Sequence, residues 1–302
     1  MDPAAVVERI LGEPKVARIV KILDTYGRAP GGLLANGLAF SALFAAIPTL
    51  LLALGLAGLI AGDPAVVQRM TEVLTEVFPP LADLIDSSMA IVTQGAAVTG
   101  IIGLIGVIWT VSQLYVTLDV AFSRIFSTTR ERDVIRRTAR GFIWVAILAA
   151  TIIGFVIVAS VAVAIDAFLP GSFPFAGTVA SFVKSPVVVL GGTILVVGIL
   201  YRVMPPVKPR FRSLALPAAV TGLAMWFLTQ AFTFLVPRLV GVAALAGSLA
   251  SAFIALAWLS FLFQALLYGA AWVKVREGEL IVAGSGDLGT PAASAEPGGR
   301  GE

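Results

Sequence analysis

A 302-residue chain with no histidine and no cysteine lacks most of the side chains that catalysis draws on. No Ser-His-Asp triad, HExxH zinc site or histidine proton relay can be assembled from it. Disulfides, thiolate metal sites and cysteine nucleophiles are excluded along with the thiols. What remains is a small set of polar groups inside long apolar stretches. Asp119 stands near one end of such a stretch, in line with Trp109, Ser112, Val116 and Ser123 at alternating spacings of three and four, which reads as one helical face. An ionised carboxylate at mid-membrane costs about 2.5–3.5 kcal/mol, so Asp119 needs a partner. Arg124, just beyond it, and Arg202, at the end of another stretch, are the cations in position. Asp119 is then either half of an interhelical ion pair or a residue lining a substrate path. Asp166, near the outer end of a third stretch, can reach water. Asn36, Gln113, Gln230 and Gln264 are neutral, and such side chains join membrane helices through hydrogen bonds averaging about 0.6 kcal/mol.

The elements that must position these groups are six apolar stretches, residues 33–61, 97–121, 142–169, 187–204, 214–236 and 246–273. Each is at or above the roughly 18–20 residues that a helix needs to span hydrocarbon. Lys and Arg number 5, 1, 6, 1, 4, 1 and 3 in the seven segments around them, with Arg202 at the end of the fourth stretch counted in the segment it adjoins, so every second segment is basic. That alternation is the positive-inside pattern. It predicts an all-α, polytopic bundle of six transmembrane helices with both termini cytoplasmic. With 58% hydrophobic and only 13% charged residues, the chain does not fit a soluble domain, in which about a quarter of residues are charged. The net charge of +3 is concentrated on one side, where anionic lipid headgroups would meet it.

The first 30 residues carry nine charges and the first apolar stretch is too long for a signal-peptide core, so it reads as a retained spanning helix. Before it, residues 2–24 place Val6, Val7, Ile10 and Leu11, then Val16, Ile19, Val20 and Leu23, at helical spacing. These are short amphipathic helices on the cytoplasmic surface, broken near Pro14. In the first outer loop Asp63 can cap a helix opening at Pro64, Pro79 and Pro80 stop it, and a second pattern runs through Leu81, Leu84, Ile85, Ser88 and Val92. The loop holds five acids against Arg69, which makes it a net negative cap. Three regions follow: a cytoplasmic amphipathic segment 1–32, a membrane domain 33–275 with its outer cap at 62–96, and a tail 276–302 whose last twenty residues are too poor in apolar groups to fold.

Packing surfaces are legible within the spans. Gly37, Ser41 and Ala45, and again Gly58 and Gly62, recur every four residues, the small-xxx-small pattern of close helix contact. Gly100, Gly103 and Gly106 follow no strand and lie in a span, so they read as a packing surface rather than a phosphate loop. Pro48 and Pro217 are kink candidates, since each removes a backbone donor within a helix.

Four blocks in order resemble the YihY/BrkB family of bacterial inner-membrane proteins. They are Leu38-Ala39-Phe40-Ser41-Ala42-Leu43-Phe44 with Pro48; Gly103 through Trp109, Ser112 and Leu118 to Phe122-Ser123-Arg124-Ile125-Phe126; Tyr201-Arg202-Val203-Met204-Pro205 with Arg212, Pro217 and Trp226; and Gly247-Ser248-Leu249-Ala250 with Trp258-Leu259 and Gly269-Ala270. The chain departs from the family pattern at Ala246, Ser260 and Ala271, where an aromatic residue, a tyrosine and an acid are usual. The resemblance implies a six-helix protein of the bacterial cytoplasmic membrane and adds Tyr201 to the residues of interest. It also brings the older name ribonuclease BN, which the composition opposes. Zinc-dependent hydrolysis needs His and Asp ligands, and the cytoplasmic acids here are scattered.

The expectation is a non-enzymatic membrane protein with no cofactor, no metal and no nucleic-acid partner. It transports or flips a lipid or other amphipathic anion, with Asn36, Gln113, Asp119, Arg124, Tyr201, Arg202 and Arg212 as candidate substrate-binding residues and anionic headgroups as partners. Arg124, Arg202, Arg210 and Arg212 form the cationic rim that a phosphate would meet. No Walker A motif is present, so ATP hydrolysis is not built in. The alternative is a scaffold or regulatory protein that assembles with itself or with envelope proteins.

Overall fold

The structure, a computed structural model, describes residues 13–61, 64–77, 79–92, 95–127, 185–206, 208–243 and 249–286. Outside them lie the amphipathic pattern before Pro14, the Gly62 position and Asp63 cap, the expected span 142–169 with Asp166, most of the basic loop after it leaves Ser127, residues 246–248 and the tail beyond 286.

A short helix α1, Pro14–Arg28, precedes α2, Gly31–Ala61. Proline suits the first turn of α1, because its missing N–H would have no helical partner there. Two short helices follow, α3 (Pro64–Val77) and α4 (Ala82–Val92), joined by a 3₁₀ turn at Pro79–Leu81 where the two prolines end α3. Ile85, Ser88 and Val92 form the buried side of α4, the expected pattern. Long helices complete the chain: α5 (Ala96–Ile125), α6 (Pro186–Val203), α7 (Phe211–Ala243) and α8 (Leu249–Gly286).

Five of these helices are long and apolar enough to cross a membrane: residues 31–59, 98–125, 186–203, 211–235 and 251–281, with mean hydropathy from 1.5 to 2.2. They pack in a row, α5 on α2, α2 on α8, α8 on α7 and α7 on α6. Among the described residues the α5–α2 contact is the most extensive, and glycine makes it possible. A Cβ on Gly103 would lie 2.5 Å from the backbone nitrogen of Leu52, and one on Gly106 would lie 2.5 Å from Cβ of Pro48. The backbones therefore touch where the glycine triplet meets the proline. Further along the pair, Ser41 Oγ lies 3.4 Å from Thr117 Oγ1 across the interface.

The core divides along the length of the helices. At the end bearing the basic residues, Tyr26, Ala35, Leu38, Phe122, Val197, Tyr201, Leu214, Leu267 and Ala270 belong to one cluster that joins α1, α2, α5, α6, α7 and α8. At the far end, Leu52, Leu54, Ala57, Val67, Met70, Val92 and Val107 form a second cluster, contributed by α2, α3, α4 and α5. The 3₁₀ turn reaches across from this second group to α7 and α8.

One expected face is corrected. Asp119 does not share a face with Trp109: Asp119 is buried at 4% exposure and Trp109 is 70% exposed. At 3.6 residues per turn, ten positions fall about 80° short of three full turns. Asp119 therefore shares the packed side of α5 with Val107, Val111, Tyr115 and Phe122, all of them buried.

Candidate functional site

At the basic end a tyrosine is buried between three helices. The side chain of Tyr201, near the end of α6, is fully enclosed. Its hydroxyl donates to the carbonyl of Leu266 on α8 at 2.8 Å and lies 3.1 Å from Thr221 Oγ1 on α7. With its one proton committed to the carbonyl, it accepts from Thr221. Room for this pair comes from Gly269, where a Cβ would collide with both oxygens. On the other side of the Tyr201 ring is Phe122 of α5, with centroids 6.3 Å apart.

The last turns of α8 tie down the ends of its neighbours. Lys274 Nζ donates to the Ile125 carbonyl at 2.9 Å and to Ser127 Oγ at 2.8 Å, so an ammonium covers the carbonyls at the C-terminus of α5. Glu277 receives the backbone N–H of Arg210 at 3.1 Å and the hydroxyl of Ser213, which places a carboxylate on the N-terminus of α7. Glu279 pairs with Arg18 of α1 at 3.1 Å. Tyr268 stacks on Tyr26 of α1, centroids 3.7 Å apart and planes 16° from parallel. The Tyr26 ring lies against Gly31, whose lack of a side chain admits it. Burial, with the Tyr268 phenol adding to it, pushes the Tyr26 pKa up to about 12, and its hydroxyl meets no hydrogen-bond partner among the described residues.

The structure distributes the candidate residues over three settings. Asp119 and Tyr201 belong to the packed interior. Arg202 is half-buried at the α6–α7 turn, where it donates to the Pro209 carbonyl and lies 4.7 Å from the centroid of the Phe211 ring. Arg124 and Arg212 are exposed, at the end of α5 and the start of α7. Gln113 is exposed on α5, and Asn36 is exposed on α2 but linked to α8. There Ser260 Oγ donates to Asn36 Oδ1 at 2.5 Å, and Gln264 Nε2 donates to Ser260 Oγ at 3.2 Å. Asn36 thus joins α2 to α8 through Ser260, as expected for a neutral polar side chain, whereas the Gln264 bond stays within α8. Lys274, Glu277, Thr221, Tyr26 and Tyr268 escaped the sequence reading. Only a charge just beyond the last apolar run hinted at the first two.

Several apolar helices, a cationic end and polar groups shared between spans define a multi-pass helical membrane protein. The sequence profile of the family described as Virulence factor BrkB matches residues 22–288, and the chain belongs to that family. A "UPF0761 membrane protein" of Glaesserella parasuis serovar 5 (strain SH0165) is 24% identical to it over 226 residues, 72% of this chain and 76% of the relative. No solved structure matches the chain.

Proposed function

We propose that this protein moves a lipid or another amphipathic anion across the bacterial cytoplasmic membrane, as a six-span bundle with its basic end and both termini in the cytoplasm. The observation that carries the reading is the exposed arginine rim: Arg124 at the end of α5, and Arg210 and Arg212 at the start of α7. Guanidinium groups bind phosphate oxygens in pairs, and each basic side chain near an anionic leaflet contributes about 1 kcal/mol. Glu277 of α8, which meets the start of α7 beside that rim, is occupied by the Arg210 N–H and Ser213. With no nucleotide-binding motif, the energy would come from a downhill substrate, an ion gradient or a partner.

The test is Arg124→Ala with Arg212→Ala in purified protein, reconstituted in vesicles containing a fluorescent phosphatidylglycerol whose outer-leaflet pool is bleached by dithionite. Translocation should fall several-fold while insertion is unchanged. Equal translocation by variant and parent would overturn the reading. Arg202 is a poorer probe, because its loss would also release the Pro209 carbonyl. The competing scaffold reading draws on the far-end cluster, where α2 to α5 are packed around Leu54 and Ala57. A protein that moves no lipid but co-purifies stoichiometrically with an envelope protein would favour it.

A further inference from the structure

We propose that the side of α8 lying between α2 and α7 is a lipid-binding groove, in which Asn36, Ser260 and Gln264 take the polar junction of a membrane lipid. The inference rests on the transport reading and names the path on which such a substrate would lie.

The geometry follows from positions around α8. Ser260 meets α2 through Asn36, whereas Trp258 and Phe261 meet α7, through Thr229 and Phe232 respectively. Phe253, Ala257, Phe261 and Tyr268 are exposed. At 100° per residue Phe253, Ala257 and Tyr268 fall in the sector between those contacts, with Phe261 at its α7 edge. The exposed stripe is therefore a floor with α2 along one edge and α7 along the other. It is mostly apolar, as a surface facing acyl chains should be, but it is interrupted at one level by the Asn36–Ser260–Gln264 chain.

That interruption lies about 21 Å along the α8 axis from Lys274 at 1.5 Å per residue, well inside hydrocarbon. Among the described residues the Asn36 amide nitrogen meets no acceptor, and Gln264 Nε2 uses one of its two hydrogens on Ser260. Amide donors left open toward acyl chains are costly. An ester carbonyl or phosphate oxygen would satisfy them, and the molecule that carries such acceptors between apolar chains is a membrane lipid. From this level the stripe leads to Tyr268, where Tyr26 of α1 stacks against it at the basic end.

The test uses the full chain in phosphatidylethanolamine and phosphatidylglycerol vesicles containing a phosphatidylglycerol with a diazirine on its acyl chain near the ester. After illumination, adducts are mapped by mass spectrometry. Residues 33–44 and 257–268 should be labelled several-fold more than the equally exposed apolar face of α5, Val98 to Trp109. Asn36→Leu with Gln264→Leu should abolish that excess, and Ser260→Ala, a smaller change for which misfolding is a lesser concern, should reduce it. Equal labelling of the two faces in the parent, or an excess that survives both variants, overturns the groove. Groove labelling without translocation would sink the transport reading and leave the groove standing, and translocation with no labelling excess would do the reverse.

Discussion

A tyrosine hydroxyl shared by three helices is sensitive to small changes around it. Tyr201→Phe removes the donor to Leu266 and the acceptor for Thr221, and should cost about 1 kcal/mol, the usual net worth of such a bond. Gly269→Ala should cost more, since its methyl would displace both oxygens rather than delete one. Thermal unfolding in one detergent would rank them, and equal midpoints would contradict the close approach. Tyr26 gives a pH prediction. Its phenol titrates near 10 in the unfolded chain and near 12 in the fold, so the folded state keeps the proton longer. Its contribution to stability is complete below pH 10 and is lost as pH rises from 10 toward 12. Tyr26→Phe should flatten that alkaline decline, and a variant that declines as steeply as the parent would show that the loss arises elsewhere.

At the scale of elements, the α2–α5 pair should be the least tolerant of bulk. Gly103→Leu would force a side chain against the Leu52 backbone, which cannot retreat as a side-chain tip can, and overpacking of this kind costs about 1–3 kcal/mol or more. Loss of folded yield in gently solubilised membranes is the readout, with Gly191→Leu, where a Cβ would stand in open space, as the tolerated control. Lys274→Met should expose the carbonyls at the end of α5 to competition from water, and hydrogen exchange should rise at Phe122, Ile125 and Phe126 while the middle of the helix stays protected. Five of the six expected spans, the glycine face and the proline-bounded pair α3 and α4 were legible because each is written locally, in hydropathy or in spacings of three and four. The caps on α5 and α7 were not. Lys274 reaches a carbonyl 149 positions away and Glu277 a hydroxyl 64 positions away, and nothing local encodes which helix end a charge will meet. Of the candidate site, the exposed arginines could be read from charge pattern and Tyr201 only by resemblance. Ser260 appeared as no more than a departure from the family pattern until its contact with Asn36, 224 positions away, was seen.

For the whole molecule, the two core clusters imply unequal stability along the length of the helices. The basic-end cluster draws on six helices, and the far-end cluster on four that are consecutive in sequence. Proteolysis and hydrogen exchange should therefore report α2 to α5 as a unit that persists when α6, α7 and α8 separate from it. A single cooperative loss of protection would show instead that the row behaves as one body.

The ties made by α8 also set an order of events during synthesis. Arg18 waits for Glu279, Tyr26 for Tyr268, and the end of α5 for Lys274, so the first helices leave the ribosome long before the groups that fasten them exist. Until then the nascent protein can hold α2 against α5 through their glycine and serine contacts, while the basic end stays open to insertion factors and to quality-control proteases. A chain stopped before residue 266 should accordingly be degraded rapidly in pulse-chase labelling, and one that reaches residue 286 should survive.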